Sequence, residues 1–293
     1  MSAHFLVPFL LVIVCLGSAW FLPRFLAPSV GVVTLTVSVV LATCTTLLMF
    51  MQLGGAGISE VPFVSDALGW CRALYGGDHG APPILGIAAA LVLGLIAARM
   101  GRYVHRVFQD RKVFGDVDGV EVVLSSQPVA IAVPGPRGGV VISNSLLSAL
   151  DRHERSVVLA HENAHLRHRH HLYIHLVETC ATALPFLRPF ARKVKYLTER
   201  WADEVAAERV GSRDLVATTI ARVALLPSSE MRAHSLSIGG GNVVTRVEAL
   251  VVPLPVTPVR VTLLGCSVVI TAVLGLTLQL HHLVDFVTHA GHL

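Results

Sequence analysis

Charge is what this chain has least of: Asp, Glu, Lys and Arg make up only 14% of its 293 residues, against 53% hydrophobic. A soluble chain of this length would hold about two domains and carry roughly 25% charged residues, so the deficit excludes an ordinary soluble protein and points to an integral membrane one. Acidic residues are scarcer than basic ones, leaving a formal charge of +4 and a pI near 9.0. In so apolar a chain the basic excess reads as positively charged flanks of membrane helices rather than a nucleic-acid surface, and no direct nucleic-acid partner is expected. Cysteine is sparse as well. The five cysteines show no C-x-x-C spacing, so neither a thiolate zinc site nor a disulfide framework is indicated. Nothing basic precedes the first apolar stretch and a second follows almost at once, so the first is a retained helix and not a cleaved secretory signal. Bulky Val14 ahead of Cys15 argues equally against a lipoprotein-type signal.

What the chain has instead is four stretches approaching or exceeding the apolar length that a bilayer requires, Phe5 to Leu22, Val30 to Leu53, Ile84 to Met100 and Val261 to Leu280. Arg99, Arg102, Arg106, Arg111 and Lys112 cluster just after the third, which makes that side cytoplasmic, while the loop from Gly54 to Pro83 has the acidic balance of an external one. Both termini then lie outside. Residues 101–260 form one cytoplasmic domain between spans three and four, and 281–293 form a short external tail containing His281, His282, His289 and His292. The expected architecture is a multi-pass α-helical membrane protein carrying an inserted α+β domain, mostly helical with a small sheet, held in the lipid bilayer of the cell membrane.

Within that domain Val120 to Leu124, Val129 to Val133 and Val140 to Ile142 read as strands, with a Pro/Gly turn between the last two. Pro128 and Pro134 flank the second strand and suit a sheet edge, where an extended peptide can pair with it. Ser143 or Asn144 can cap a short helix through Leu150. Asp151 with Glu154 makes a capping-box-like start for a longer helix that Pro185 must end. A further helical stretch from Tyr196 to Val210 is stopped by Gly211.

The longer helix holds His161, Glu162 and His165. Two histidines four apart project from one helix face and can grip one metal ion, while Glu162, about 100° around the helix, can reach a water at that metal as general base. Zn2+ suits this donor set, because it lowers the pKa of water toward neutrality and polarises a carbonyl. A hydrolytic zinc needs a third protein ligand, for which Glu199 is chosen, with Glu204 and Glu208 as competitors. Asp203, one turn beyond Glu199, can orient a ligand imidazole. His168, His170, His171 and His175 read as solvated or supporting groups. Tyr196, His234 and Arg246 are open candidates for oxyanion stabilisation.

Three apolar spans, the run Leu159-Ala160-His161-Glu162-Asn163-Ala164-His165, the later Glu199-x-x-Ala202-Asp203, a Thr245-Arg246-Val247-Glu248-Ala249-Leu250 segment and a closing fourth span together resemble the BlaR/MecR-type membrane metallopeptidases. These are gluzincins, related to the CAAX prenyl protease and heat-shock membrane protease group. The resemblance covers nearly the whole chain. It implies one Zn2+ held by His161, His165 and Glu199, Glu162 as catalytic base, Asp203 as supporting acid, and regulatory cleavage of a protein or peptide substrate such as a winged-helix repressor. His170 stands where many relatives carry an aspartate. Only about a dozen residues follow Leu280, far too few for an external penicillin-binding sensor domain. The alternative is a metal-ion sensor or transporter with a His-rich cytoplasmic segment, against which stands the lack of acidic residues or central histidines in the four spans. A homo-oligomer is compatible with the sequence.

Overall fold

The computed structural model of the chain describes residues 3–59, 82–114, 117–226 and 240–252, with seven further positions between 267 and 281. Residues 60–81 of the expected external loop, most of the fourth span, His234 and the tail beyond His281 lie outside the described residues, while Gly54 to Ser59, expected in that loop, continue the second helix.

The chain opens with α1 (Ala3–Phe21), a 3-10 turn, α2 (Pro28–Ser59) and α3 (Pro83–Phe114). Two helical segments, Pro28–Gly57 and Pro83–Gln109, are long and apolar enough to cross a membrane. The α2–α3 contact is antiparallel and depends on small residues: Gly54 faces Ala89 and Ala90, and a Cβ on Gly57 would come within 2.5 Å of the Gly86 Cα. Glycine is required there because two backbones touch. The helix expected to end near Met100 runs unbroken to Phe114, with its second half carrying Arg99, Arg102 and Arg106.

A small sheet follows, of β1 (Gly119–Val123), β2 (Ala130–Val133) and β3 (Gly139–Ser143), in the order β1-β3-β2. The central strand β3 pairs parallel with β1 and antiparallel with β2, so β2 is an edge. Alternation puts the backbone groups of Ala130 and Ala132 on the free edge, because Ser143 N–H donates to the Val129 carbonyl on the paired side.

Ser143 caps α4 (Asn144–Ala149) by accepting from the Leu146 N–H. Asp151 and Glu154 form a complete capping box at the start of α5 (Arg152–Arg167). The expected single helix to Pro185 is broken. Two residues intervene, with Arg169 in the left-handed region at φ 51°, and α6 (His170–Ala183) leaves in a new direction before Pro185 ends it. His168 still closes the last turn of α5 through its N–H to the Ala164 carbonyl, and the left-handed backbone of Arg169 then turns the chain. After a short 3-10 turn comes α7 (Arg188–Val210), which starts eight residues before the expected Tyr196 and stops at Gly211, φ 75°. Then follow α8 (Arg213–Leu225) and α9 (Gly240–Val251).

Two cores organise these helices. One joins Val157 and Ala160 of α5 to Ala206 and Ala207 of α7, Val216 and Ala217 of α8 and Leu250 of α9, and its alanines let α5 and α7 approach closely. The other extends from Leu16 and Ala19 of α1 through Val32, Leu35, Val39 and Ala42 of α2 and Ile96 of α3 to Val177 and Cys180 of α6 and Val194 and Leu197 of α7. Each fully buried Val or Leu in it contributes about 1.5–3 kcal/mol of transfer free energy. The first half of α2 therefore belongs to the same apolar core as α6 and α7, while its second half pairs with α3 through glycine.

Candidate metal centre

α5 presents His161 and His165 from successive turns, with their Nε2 atoms 3.1 Å apart. From α7, Glu199 brings Oε2 to 3.5 Å from His161 Nε2 and Oε1 to 3.6 Å from His165 Nε2. These three donors form the one group among the described residues able to hold a metal ion. Ligands at the usual zinc distance of about 2.0–2.1 Å in a tetrahedron stand roughly 3.3–3.4 Å from one another. The triangle seen here has that size, its two nitrogens and one carboxylate suit zinc, and a fourth tetrahedral corner is left for a reactant. Glu204 is turned away to Arg213 and Arg200, and Glu208 is exposed, so neither competes with Glu199.

Both imidazoles are held from behind. His161 Nδ1 lies 3.1 Å from Oδ1 of Asp203, which is fully buried. Asp203 in turn accepts two hydrogen bonds from Arg246 on α9, at 2.8 and 2.6 Å, and the same guanidinium reaches Glu199 Oε2 at 2.9 Å. Arg213 fixes α9 in place: it pairs with Glu204 and donates to the carbonyls of Ala249, Leu250 and Val252. His165 Nδ1 is 3.0 Å from His170 Nδ1, the first residue of α6.

Burial would lower the His161 pKa, but hydrogen bonds to Asp203 and Glu199 outweigh it and raise the value to about 10. His165 moves the other way, to about 4, through burial and the neighbouring His161 charge. Burial also carries His170 down to about 3. Burial opposes ionisation of Asp203, yet its bonds from Arg246 and His161 hold it below the ordinary carboxylate range. Glu199 is held low against burial by its bond from His161. Glu162 is pushed up to about 7 by burial, despite the His161 charge and a hydrogen bond from the Ala132 backbone N–H. A carboxylate poised near neutrality, at the free edge of a strand and beside the metal donors, has the position and affinity of a general base.

Of the oxyanion candidates, Arg246 is at the centre but engaged with carboxylates, Tyr196 packs against the apolar core, and His234 lies outside the described residues. The sequence reading missed the Arg246–Asp203 pair, the His170–His165 contact and the Ala132 N–H. An arginine in an amphipathic stretch was the one visible signal for the first.

A half-buried base beside a donor triangle of two histidines and a carboxylate defines a metallohydrolase-type centre. Residues 97–181, which include β1–β3 and the histidines of α5, match the family model described as peptidase family M48, and this supports a metallopeptidase. The matched stretch ends before Glu199, Asp203 and Arg246. No curated protein and no solved structure matches the chain.

Proposed function

We propose that the protein is a zinc endopeptidase of the BlaR/MecR type, anchored in the cell membrane and acting in regulatory proteolysis of a cytoplasmic protein such as a winged-helix repressor. The observation that carries this reading is the donor triangle of His161, His165 and Glu199 with Glu162 beside it. A zinc ion held there would supply Lewis-acid activation of a water and of the scissile carbonyl. Glu162 takes the proton from the attacking water and passes it to the leaving amine. Asp203 keeps His161 oriented with Nδ1 protonated, and Arg246 keeps Asp203 ionised. While the Ala132 N–H holds Glu162, the edge of β2 offers the Ala130 backbone groups and the Ala132 carbonyl to an extended peptide, which would fix the scissile bond over the base.

Membrane anchoring rests on α2, α3 and the stretch 261–280. The apolar part of α3 gives way to Arg99, Arg102 and Arg106, a basic flank that supports a catalytic domain on the cytoplasmic side with both termini outside. The test compares protein N-termini in cells expressing the native chain with those in cells expressing Glu162→Ala. New N-termini from a cytoplasmic protein, present only with the native chain, are expected. Identical N-terminal profiles under every inducer tried would overturn the reading.

A further inference from the structure

The metal-donor histidines are backed by different chemistry. His161 rests on a carboxylate that is itself paired with arginine, whereas His165 rests on another imidazole. For zinc to be held by both histidines, the contacts along this row fix where each proton lies. Asp203 accepts from His161 Nδ1–H, because its other contacts come from Arg246. The Nε2 atoms of His161 and His165 face each other 3.1 Å apart across the position a zinc ion would take, and each would direct a lone pair to it. His165 must offer a lone pair there and so carry its own proton on Nδ1, which leaves His170 Nδ1 as the acceptor at 3.0 Å. His170 consequently carries its proton on Nε2, an atom that is buried and has no hydrogen-bond partner among the described residues.

That unpaired N–H is unfavourable, and it persists because the ring is boxed in. His170 is fully buried, with the Trp201 ring 4.7 Å from its centroid on one side and His168 stacked 5.9 Å away on another. It is also the first residue of α6, whose later turns are gripped by membrane-type helices: Val177 and Cys180 pack into the core with Val39 and Ala42 of α2, and His175 Nδ1 lies 3.1 Å from the Tyr103 hydroxyl of α3.

We infer that His170 is a positioning residue for the metal site, which fixes His165 in the Nδ1-protonated tautomer with its Nε2 lone pair aimed at the position a zinc ion would take. This rests on the zinc-site reading above. A neutral imidazole acceptor polarises His165 less than a carboxylate would, so the two histidine donors are unequal, and the hold of α2 and α3 on α6 reaches the weaker one.

The test uses the full chain in detergent and measures zinc affinity by competition with a chromophoric chelator. His170→Asn places a neutral acceptor oxygen where Nδ1 stood, and its affinity is expected within about threefold of native. His170→Leu removes the acceptor and should weaken zinc binding by about 10–100-fold. A His170→Leu protein that binds zinc as tightly as native, while native binds well, overturns the inference and leaves the zinc-site reading standing. Failure of the native chain itself to bind zinc overturns both. Because the leucine variant can fail to fold, long-range 1H–15N spectra of the native, zinc-loaded, 15N-histidine-labelled chain give an independent answer. His165 protonated at Nδ1 and His170 at Nε2 support the assignment, and His170 protonated at Nδ1 refutes it.

Discussion

Two helix pairs meet in this molecule and are joined by opposite chemistries. α2 and α3 touch where Gly54 and Gly57 let backbones approach Gly86, Ala89 and Ala90, with no charge at the contact. α5 and α7 face each other across His161, Glu199 and the fully buried Asp203, with Arg246 closing the group from α9. The first contact reads only shape. The second reads charge, and therefore protons and metal ions. Substitutions of size should break one, substitutions of charge the other, and each should leave its counterpart intact.

The largest stability effect is expected from Asp203→Ala, which takes two hydrogen bonds from the Arg246 guanidinium and the carboxylate partner from His161, leaving Glu199 as the remaining partner of Arg246. Removing one partner of such a pair costs about 3–5 kcal/mol. Thermal unfolding of the metal-free chain in detergent should show it, along with loss of zinc affinity. An unchanged midpoint would mean that the charged contact does not hold α5, α7 and α9 together.

The next effect tests the shape-reading contact. Gly57→Ala drives a methyl into the Gly86 backbone and should destabilise by about 1–3 kcal/mol. Gly94→Ala on α3 meets nothing within 4 Å and should be neutral or slightly stabilising through helix propensity. Equal midpoints for the two variants would remove the close approach from the account. Neither should change zinc affinity.

The smallest effect separates the pairs by pH. His161 has a folded value of about 10, above the ordinary histidine value of 6.5. Its contribution to the stability of the metal-free fold is therefore complete below about 6.5 and is lost as pH rises toward about 10. Zinc must displace that proton, so affinity should rise over the same window, while His165, at about 4, is already neutral. Calorimetry at pH 8 in buffers of different ionisation enthalpy should report release of about one proton per zinc. Release of none would contradict the Asp203–His161 pairing.

Much of the site is legible in the sequence because its parts are local. The four-residue spacings of His161 with His165 and of Glu199 with Asp203 put each pair on one helix face, and the Asp151–Glu154 box marks where α5 starts. The unread features depend on tertiary packing. The break at Arg169 replaces one long helix by two, and the second packs its Val177 and Cys180 onto α2. An apolar residue such as Val39 looks the same in sequence whether it faces lipid or protein, so the shared core did not show. Arg246 was visible as a basic residue, but its partners lie 43 and 47 positions earlier and nothing local signals them.

The most direct test of the central claim replaces Glu162 with Gln in the full chain. Elemental analysis and peptide-library cleavage are then compared with native protein at equal concentration. One zinc per chain in both proteins, with cleavage lower by about 10²–10⁴-fold in the variant, is the predicted result. Zinc-loaded Glu162→Gln that cleaves as fast as native protein would contradict it.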